Sequence, residues 1–129
     1  MAPEDTMADT TTVSDAYVEA FNRGDLGAIE ALLHEDAVYR WVTASRAERG
    51  REAVMKLYRM GHDAYGGRSR LCAVPGTPDQ AIWWEPRDTG LAAAGLQTIQ
   101  IEDGAIRAIS DEHSPAKVQT AAEGLTPPV

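Results

Sequence analysis

Apolar residues near the start of the chain fall on helical spacing. Val13, Ala16, Tyr17, Ala20 and Phe21 stand at i, i+3, i+4, i+7 and i+8, which lays one stripe along a helix. Gly24 suits the position after the last helical turn, and Asp25 can cap a second helix. The stripe of that helix is Leu26, Ile29, Leu32 and Leu33. So short a link turns the two helices on each other as a pair. The period then changes. Residues 37–42 hold Val38, Tyr39, Trp41 and Val42, side chains that favour a strand. Residues 43–50 are polar and predict a loop. Residues 51–64 return to helical spacing, with Val54, Leu57, Tyr58 and Gly61 on one side and Gly66-Gly67 as the stop. Strands follow at 68–74, 80–87, 95–102 and 105–113. Pro75 to Asp79 make a turn, and Asp103-Gly104 between two alternating runs is a hairpin signal. Residues 1–12 are polar and aperiodic and predict a frayed tail. Residues 115–129, with three prolines, predict a second tail that adds little. One domain then occupies 13–114.

Helices first and a run of antiparallel strands afterwards is an α+β order, without the alternation of a parallel doubly wound sheet. The helices can cover one face of such a sheet. A chain of 129 residues has room for one core of useful size. Twelve Lys and Arg against twenty Asp and Glu leave a net charge of −8. Phosphate backbones and anionic membranes are repelled by that balance, so neither nucleic acid nor membrane is an expected partner. The only local basic groupings are Arg68 with Arg70 and Arg46 with Arg49 and Arg51. No apolar run is long enough to span a bilayer, and no secretory leader is legible, so a cytoplasmic setting is expected. Alanine, arginine, glycine and aspartate usage fits a bacterial source. A lone Cys72 cannot form an internal disulfide and reads as a small buried hydrophobe.

The run Asp15-Ala16-Tyr17-Val18-Glu19-Ala20-Phe21-Asn22-Arg23-Gly24-Asp25-Leu26, with Ala28 to Val38 after it, resembles the opening of the nuclear transport factor 2-like superfamily. Within it the SnoaL-like branch is the better match, a group with polyketide cyclases, ketosteroid isomerase and limonene epoxide hydrolase. Arg49-Gly50-Arg51-Glu52-Ala53-Val54 fits the loop before the third helix of that family. The resemblance implies a cone: a curved, mostly antiparallel sheet wrapped around three N-terminal helices, with a pocket between them. It implies a homodimer paired through the outer sheet face. It places Tyr17 and Tyr58 where the isomerase keeps pocket tyrosines. The isomerase's general-base aspartate falls on Trp41 here, and its oxyanion-hole aspartate on Gln97, so both acids are replaced. Arg87 and Asp88 are candidates for part of the epoxide hydrolase's charged set, at a strand end.

Strand parity extends the reading. Tyr39 and Trp41 share a face, which the family register turns inward. Trp83 and Trp84 must point to opposite faces; the family register sends Trp84 and Ile82 inward, and a one-residue slip would send Trp83 instead. Ile109, Asp111 and His113 share a face of the last strand. A carboxylate and an imidazole together on an apolar wall can move a proton, the acid orienting the ring. Burial would raise the carboxyl pKa, and mutual attraction would oppose it. Gln97 shares a face with Ile99 and Ile101, where a buried amide must bond a neighbour such as Tyr17 or a ligand. The candidate catalytic set is therefore Asp111, His113, Tyr17 and Gln97. Phe21, Tyr39, Trp41, Tyr58, Trp84, Ile99 and Ile109 are candidate substrate contacts. His34, His62 and His113 have no metal-ligand spacing, and neither a phosphate-binding glycine loop nor a nucleophile elbow is present, so no metal or cofactor is expected. The function expected is cofactor-independent acid/base catalysis on a small, largely apolar molecule, of cyclase, isomerase or epoxide hydrolase type. The rival is a non-catalytic binding or dimerisation domain.

Overall fold

The computed structural model describes residues 3–128. Helix α1 (Pro3–Arg23) and helix α2 (Leu26–Leu32) meet at Gly24, which holds φ at 69°. Gly24 N–H donates to Phe21 O at 3.0 Å and Asp25 N–H to Ala20 O at 2.9 Å. This is the paired closure that a left-handed residue gives a helix end. The Asp25 carboxylate accepts from Ala28 N–H at 3.0 Å and starts α2. The chain continues through β1 (Leu33–Trp41), β2 (Arg46–Arg49), α3 (Arg51–Ala64), β3 (Arg70–Val74), β4 (Thr77–Arg87), β5 (Gly90–Glu102), β6 (Ala105–Glu112) and α4 (Pro115–Ala122).

The strands form one curved, open sheet in the order β2-β1-β6-β5-β4-β3. Only β1 and β6 run parallel. Asp103 and Gly104 both take positive φ in the two-residue turn from β5 to β6, as the hairpin signal requires. The inner face carries the main core, with Tyr17, Ile29, Val54, Met55, Leu71, Ile99, Ile106 and Ile109 fully buried. Asn22 ties α1 to the sheet edge: its side-chain amide donates to Leu71 O at 2.8 Å and accepts from Leu71 N–H at 2.7 Å.

Several expectations are corrected. The loop at 43–50 contains β2, whose three charged residues suit an exposed edge strand. β1 starts at Leu33 rather than residue 37 and absorbs an irregularity between Leu33 and Val38. β4 begins inside the expected turn, at Thr77, and β5 begins at Gly90. Residues 3–12 of the expected tail belong to α1; Met1, Ala2 and Val129 lie outside the described residues. The C-terminal stretch is no passive tail. Pro115 opens α4, where its fixed φ suits a first helical position, and Val118 is buried. α4 packs on β5 and β4. No helix among the described residues is long and apolar enough to cross a membrane.

Candidate functional site

A cavity of about 250 Å³ lies between the helices and the inner sheet face. Of the one phenylalanine, four tyrosines and three tryptophans in the chain, all but Tyr17 and Trp84 line it. α1 supplies Phe21, α3 supplies Tyr58, and the turn after α3 supplies Tyr65. β1 brings Tyr39 and Trp41, and β4 brings Trp83. The rings meet edge to face or tilted: Tyr39 with Tyr58 at 6.0 Å, Tyr39 with Trp41 at 5.0 Å and Tyr65 with Trp83 at 5.3 Å.

Gln97, Asp111, His113 and His62 are the principal polar side chains on this wall. Asp111 is 5% exposed, and His113 Nε2 lies 3.1 Å from its Oδ1. The contact is close but falls short of an aligned hydrogen bond, and Oδ1 has no accessible surface. Asp111 Oδ2 accepts from the Tyr39 hydroxyl. The chain of bonds then runs inward. Gln97 Nε2 donates to Tyr39 at 3.4 Å, Tyr17 donates to Gln97 Oε1 at 2.7 Å, and the Tyr17 and Tyr58 hydroxyls are 2.7 Å apart. Each hydroxyl has one proton, so Tyr17, spending its own on Gln97, must accept from Tyr58. Every donor in the series therefore points toward Asp111. The carboxylate sets this polarity: an ionised acid only accepts, Tyr39 must give it a proton, and Gln97 must then turn its amide nitrogen to Tyr39.

Burial raises the Asp111 pKa above the ordinary aspartate value of 3.8, while the Tyr39 hydrogen bond and the His113 charge hold it down. Burial also pushes Tyr17, Tyr39 and Tyr58 well above the phenol range, so all three stay protonated donors near neutrality. Gly95 makes the carboxylate's position possible. A Cβ there would lie 2.9 Å from Asp111 Oδ1, too close for any other residue. His62 is seated comparably: a Cβ on Gly24 or Gly67 would come within 3.1 Å of its Nε2.

Of the expected site residues, Asp111, His113, Gln97, Phe21, Tyr39, Trp41 and Tyr58 line the cavity. Tyr17 does not; it stands behind the wall and reaches the site through Tyr58 and Gln97. Ile99 and Ile109 are buried in the core beneath. Trp84 and Ile82 are corrections. Trp83 pairs with Gly95 and Ala81 with Gln97, so these share the inner face, while Ile82 pairs with Leu96 on the outer one. Trp84 lies outward too, its indole N–H 3.1 Å from Cys72 Sγ. A bulge between Trp83 and Trp84 shifts the pairing there. The sequence held Trp83 only as the slipped alternative, and Tyr65, Ser69, Gly95 and the pocket role of His62 were not expected. Two signals could have found them: the slipped register for Trp83, and glycine within a β-run for Gly95. Arg87 and Asp88 do not line the cavity. Among the described residues no three His, Cys, Asp or Glu side chains gather as metal ligands.

The fold recurs in solved structures. A candidate ketosteroid isomerase from Kribbella flavida is 18% identical with TM-score 0.63, over 83% of this chain and 78% of that one. A candidate polyketide cyclase from Xanthomonas campestris is 21% identical with TM-score 0.60, over 85% and 93%. An NTF2-like protein of unknown function from Mesorhizobium loti is 21% identical with TM-score 0.66, over 88% and 97%. No curated protein matches the sequence. The family model for SnoaL-like domains matches residues 14–109, most of the chain, and the chain belongs to that family.

Proposed function

We propose that the protein is a cofactor-independent acid/base enzyme acting on a small, largely apolar molecule in the aromatic cavity. The observation that supports it most is the Asp111–His113 pair, 3.1 Å apart on a largely aromatic wall. With Asp111 beside Nε2, the ring proton sits on that nitrogen and Nδ1 is left as the base. His113 then takes a proton from substrate, and the buried carboxylate balances the imidazolium that forms. Gln97 Nε2 has a second N–H to offer a substrate oxygen, Tyr58 accepts from a substrate hydroxyl, and Tyr17 is a positioning residue behind them. Enolisation, cyclisation and epoxide opening all need this proton transfer.

The test is proton–deuterium exchange of 2-tetralone and ring opening of styrene oxide, followed by nuclear magnetic resonance. Wild-type protein should accelerate at least one over buffer. Asp111→Asn and His113→Ala should each lose about 10²–10⁴-fold of that acceleration, the usual worth of a positioned acid or base. Equal rates in wild type and both variants would remove the pair from any mechanism. The rival is a binding domain without turnover, favoured by Trp41 and Gln97 standing where the isomerase's acids fall. Ligand affinity without any acceleration would select it. A homodimer through the outer sheet face is a separate proposal, and α4 already occupies part of that face.

A further inference from the structure

We infer that the substrate carries a hydroxyl group on one ring or on two fused rings, and that the cavity selects this alcohol or phenol over the matching ketone or ether. The inference rests on the proposal that the cavity is the substrate site, and it names the substrate class. Tyr39 gives its phenol proton to Asp111 Oδ2, Tyr17 gives its own to Gln97 Oε1 at 2.7 Å, and Tyr58 gives its own to Tyr17, also at 2.7 Å. None of the three hydroxyls has a proton left for a ligand. Tyr58 ends the series, and it lines the cavity. Among the described residues its hydroxyl bonds only Tyr17, so its oxygen keeps an unused lone pair and can only accept. Gln97, on the other side of the Tyr17 hydroxyl, also lines the cavity. It keeps one amide N–H beyond the one it gives to Tyr39 at 3.4 Å.

A ring hydroxyl answers both groups: its proton goes to Tyr58, and its oxygen accepts from the Gln97 amide. A ketone or an ether offers only lone pairs. Its oxygen can take the amide proton, but it leaves Tyr58 facing another acceptor with no proton between them. Ser69, His62 and His113 add polar groups to the wall, but none of them bonds Tyr58. Asp111 sets the preference from a distance: while the carboxylate only accepts, every donor of the series points toward it. Space sets the size. The cavity, about 250 Å³, falls below the roughly 300–1,000 Å³ of a typical small-molecule site, so one ring or two fused rings fill it.

Calorimetric titration with 2-tetralol, 2-tetralone and 2-methoxytetralin tests this, since the three share a skeleton and only the first has a hydroxyl proton. 2-Tetralol should bind about tenfold tighter than either of the others, the usual effect of leaving a buried acceptor unpaired. Tyr58→Phe should weaken 2-tetralol about tenfold and leave 2-tetralone within about twofold. Asp111→Asn should shrink the preference to about threefold or less with Tyr58 still in place. An amide can donate to Tyr39, so the whole series can reverse and Tyr58 can donate to the ketone. Near-ultraviolet circular dichroism confirms that both variants are folded. 2-Tetralone or 2-methoxytetralin binding as tightly as 2-tetralol would overturn the inference, as would an undiminished preference in either variant. Acceleration of 2-tetralone exchange without a preference for 2-tetralol would remove the hydroxyl and keep the enzyme reading. The preference without acceleration of any probe would keep the hydroxyl and select the binding domain. Failure of all three compounds to bind would remove both.

Discussion

At the scale of single residues, Asp111 decides most of the site's behaviour, and its cost is measurable. Its native pKa lies above the ordinary 3.8 because burial penalises the charge more than Tyr39 and His113 relieve it. A group raised in this way favours the folded state when protonated. That contribution is complete below the unfolded pKa and disappears as pH rises through the native one. Asp111→Asn removes this dependence. The wild-type stability minus that of the variant, from chemical denaturation, should therefore fall as pH rises from below the ordinary aspartate value of 3.8 through the elevated native one. Glu112, lowered by Lys117 and Ser114, acts in the opposite sense but is common to both proteins and cancels. A flat difference across that range would mean that the carboxyl is not perturbed. Asp111 and His113 were legible in the sequence because parity alone puts i and i+2 on one face. The direction of the hydrogen-bond series was not, because it depends on Tyr58, Tyr17 and Gln97 meeting across 41 and 80 residues of sequence.

At the scale of elements, periodicity located the helices and most strands, since their apolar stripes face a shared core. It missed what periodicity does not encode. β2 shows three charged residues and one alanine because it pairs on one side at an edge. Ala92 and Ala93 carry little strand preference, and pairing with Glu85 and Trp84 of β4 makes them strand. The register of β4 was open for the same reason: alternation is equally satisfied by Trp83 or Trp84 inward, and the pairing with β5 decides it. The two tryptophans consequently have different work. Trp83→Ala should weaken 2-tetralone binding severalfold with a modest loss of stability, because the side chain lines an open cavity. Trp84→Ala should cost about 3–5 kcal/mol by removing a buried aromatic from the outer face, with ligand affinity nearly unchanged. Chemical denaturation and calorimetry on both variants check the contrast, and the reverse pattern would mean the register is wrong.

At the scale of the whole molecule, one sheet separates recognition from much of its support. The inner face has given up close packing to hold a cavity, and that forfeits contacts a filled core would keep. The outer face compensates. Val38, Ile82, Trp84 and Ala108 are buried outside the inner cluster, together with Val118 of α4. Lys117 reaches Glu112 at 3.1 Å from the same helix, but an exposed pair adds little, so apolar contact holds α4 down. Val118→Asp would force a carboxylate into that contact and undock the helix. The melting temperature should fall by about 5 °C or more, consistent with a loss of a few kcal/mol in a domain of this size. Uncovering Ile82 and its neighbours should also promote self-association, visible by sedimentation velocity. Affinity for 2-tetralone, measured below the transition, should stay within about twofold, because Val118 is not part of the cavity wall. An unaltered melting temperature and a monomeric variant would show that α4 supports nothing. A large loss of affinity would show that the two faces are coupled through the sheet.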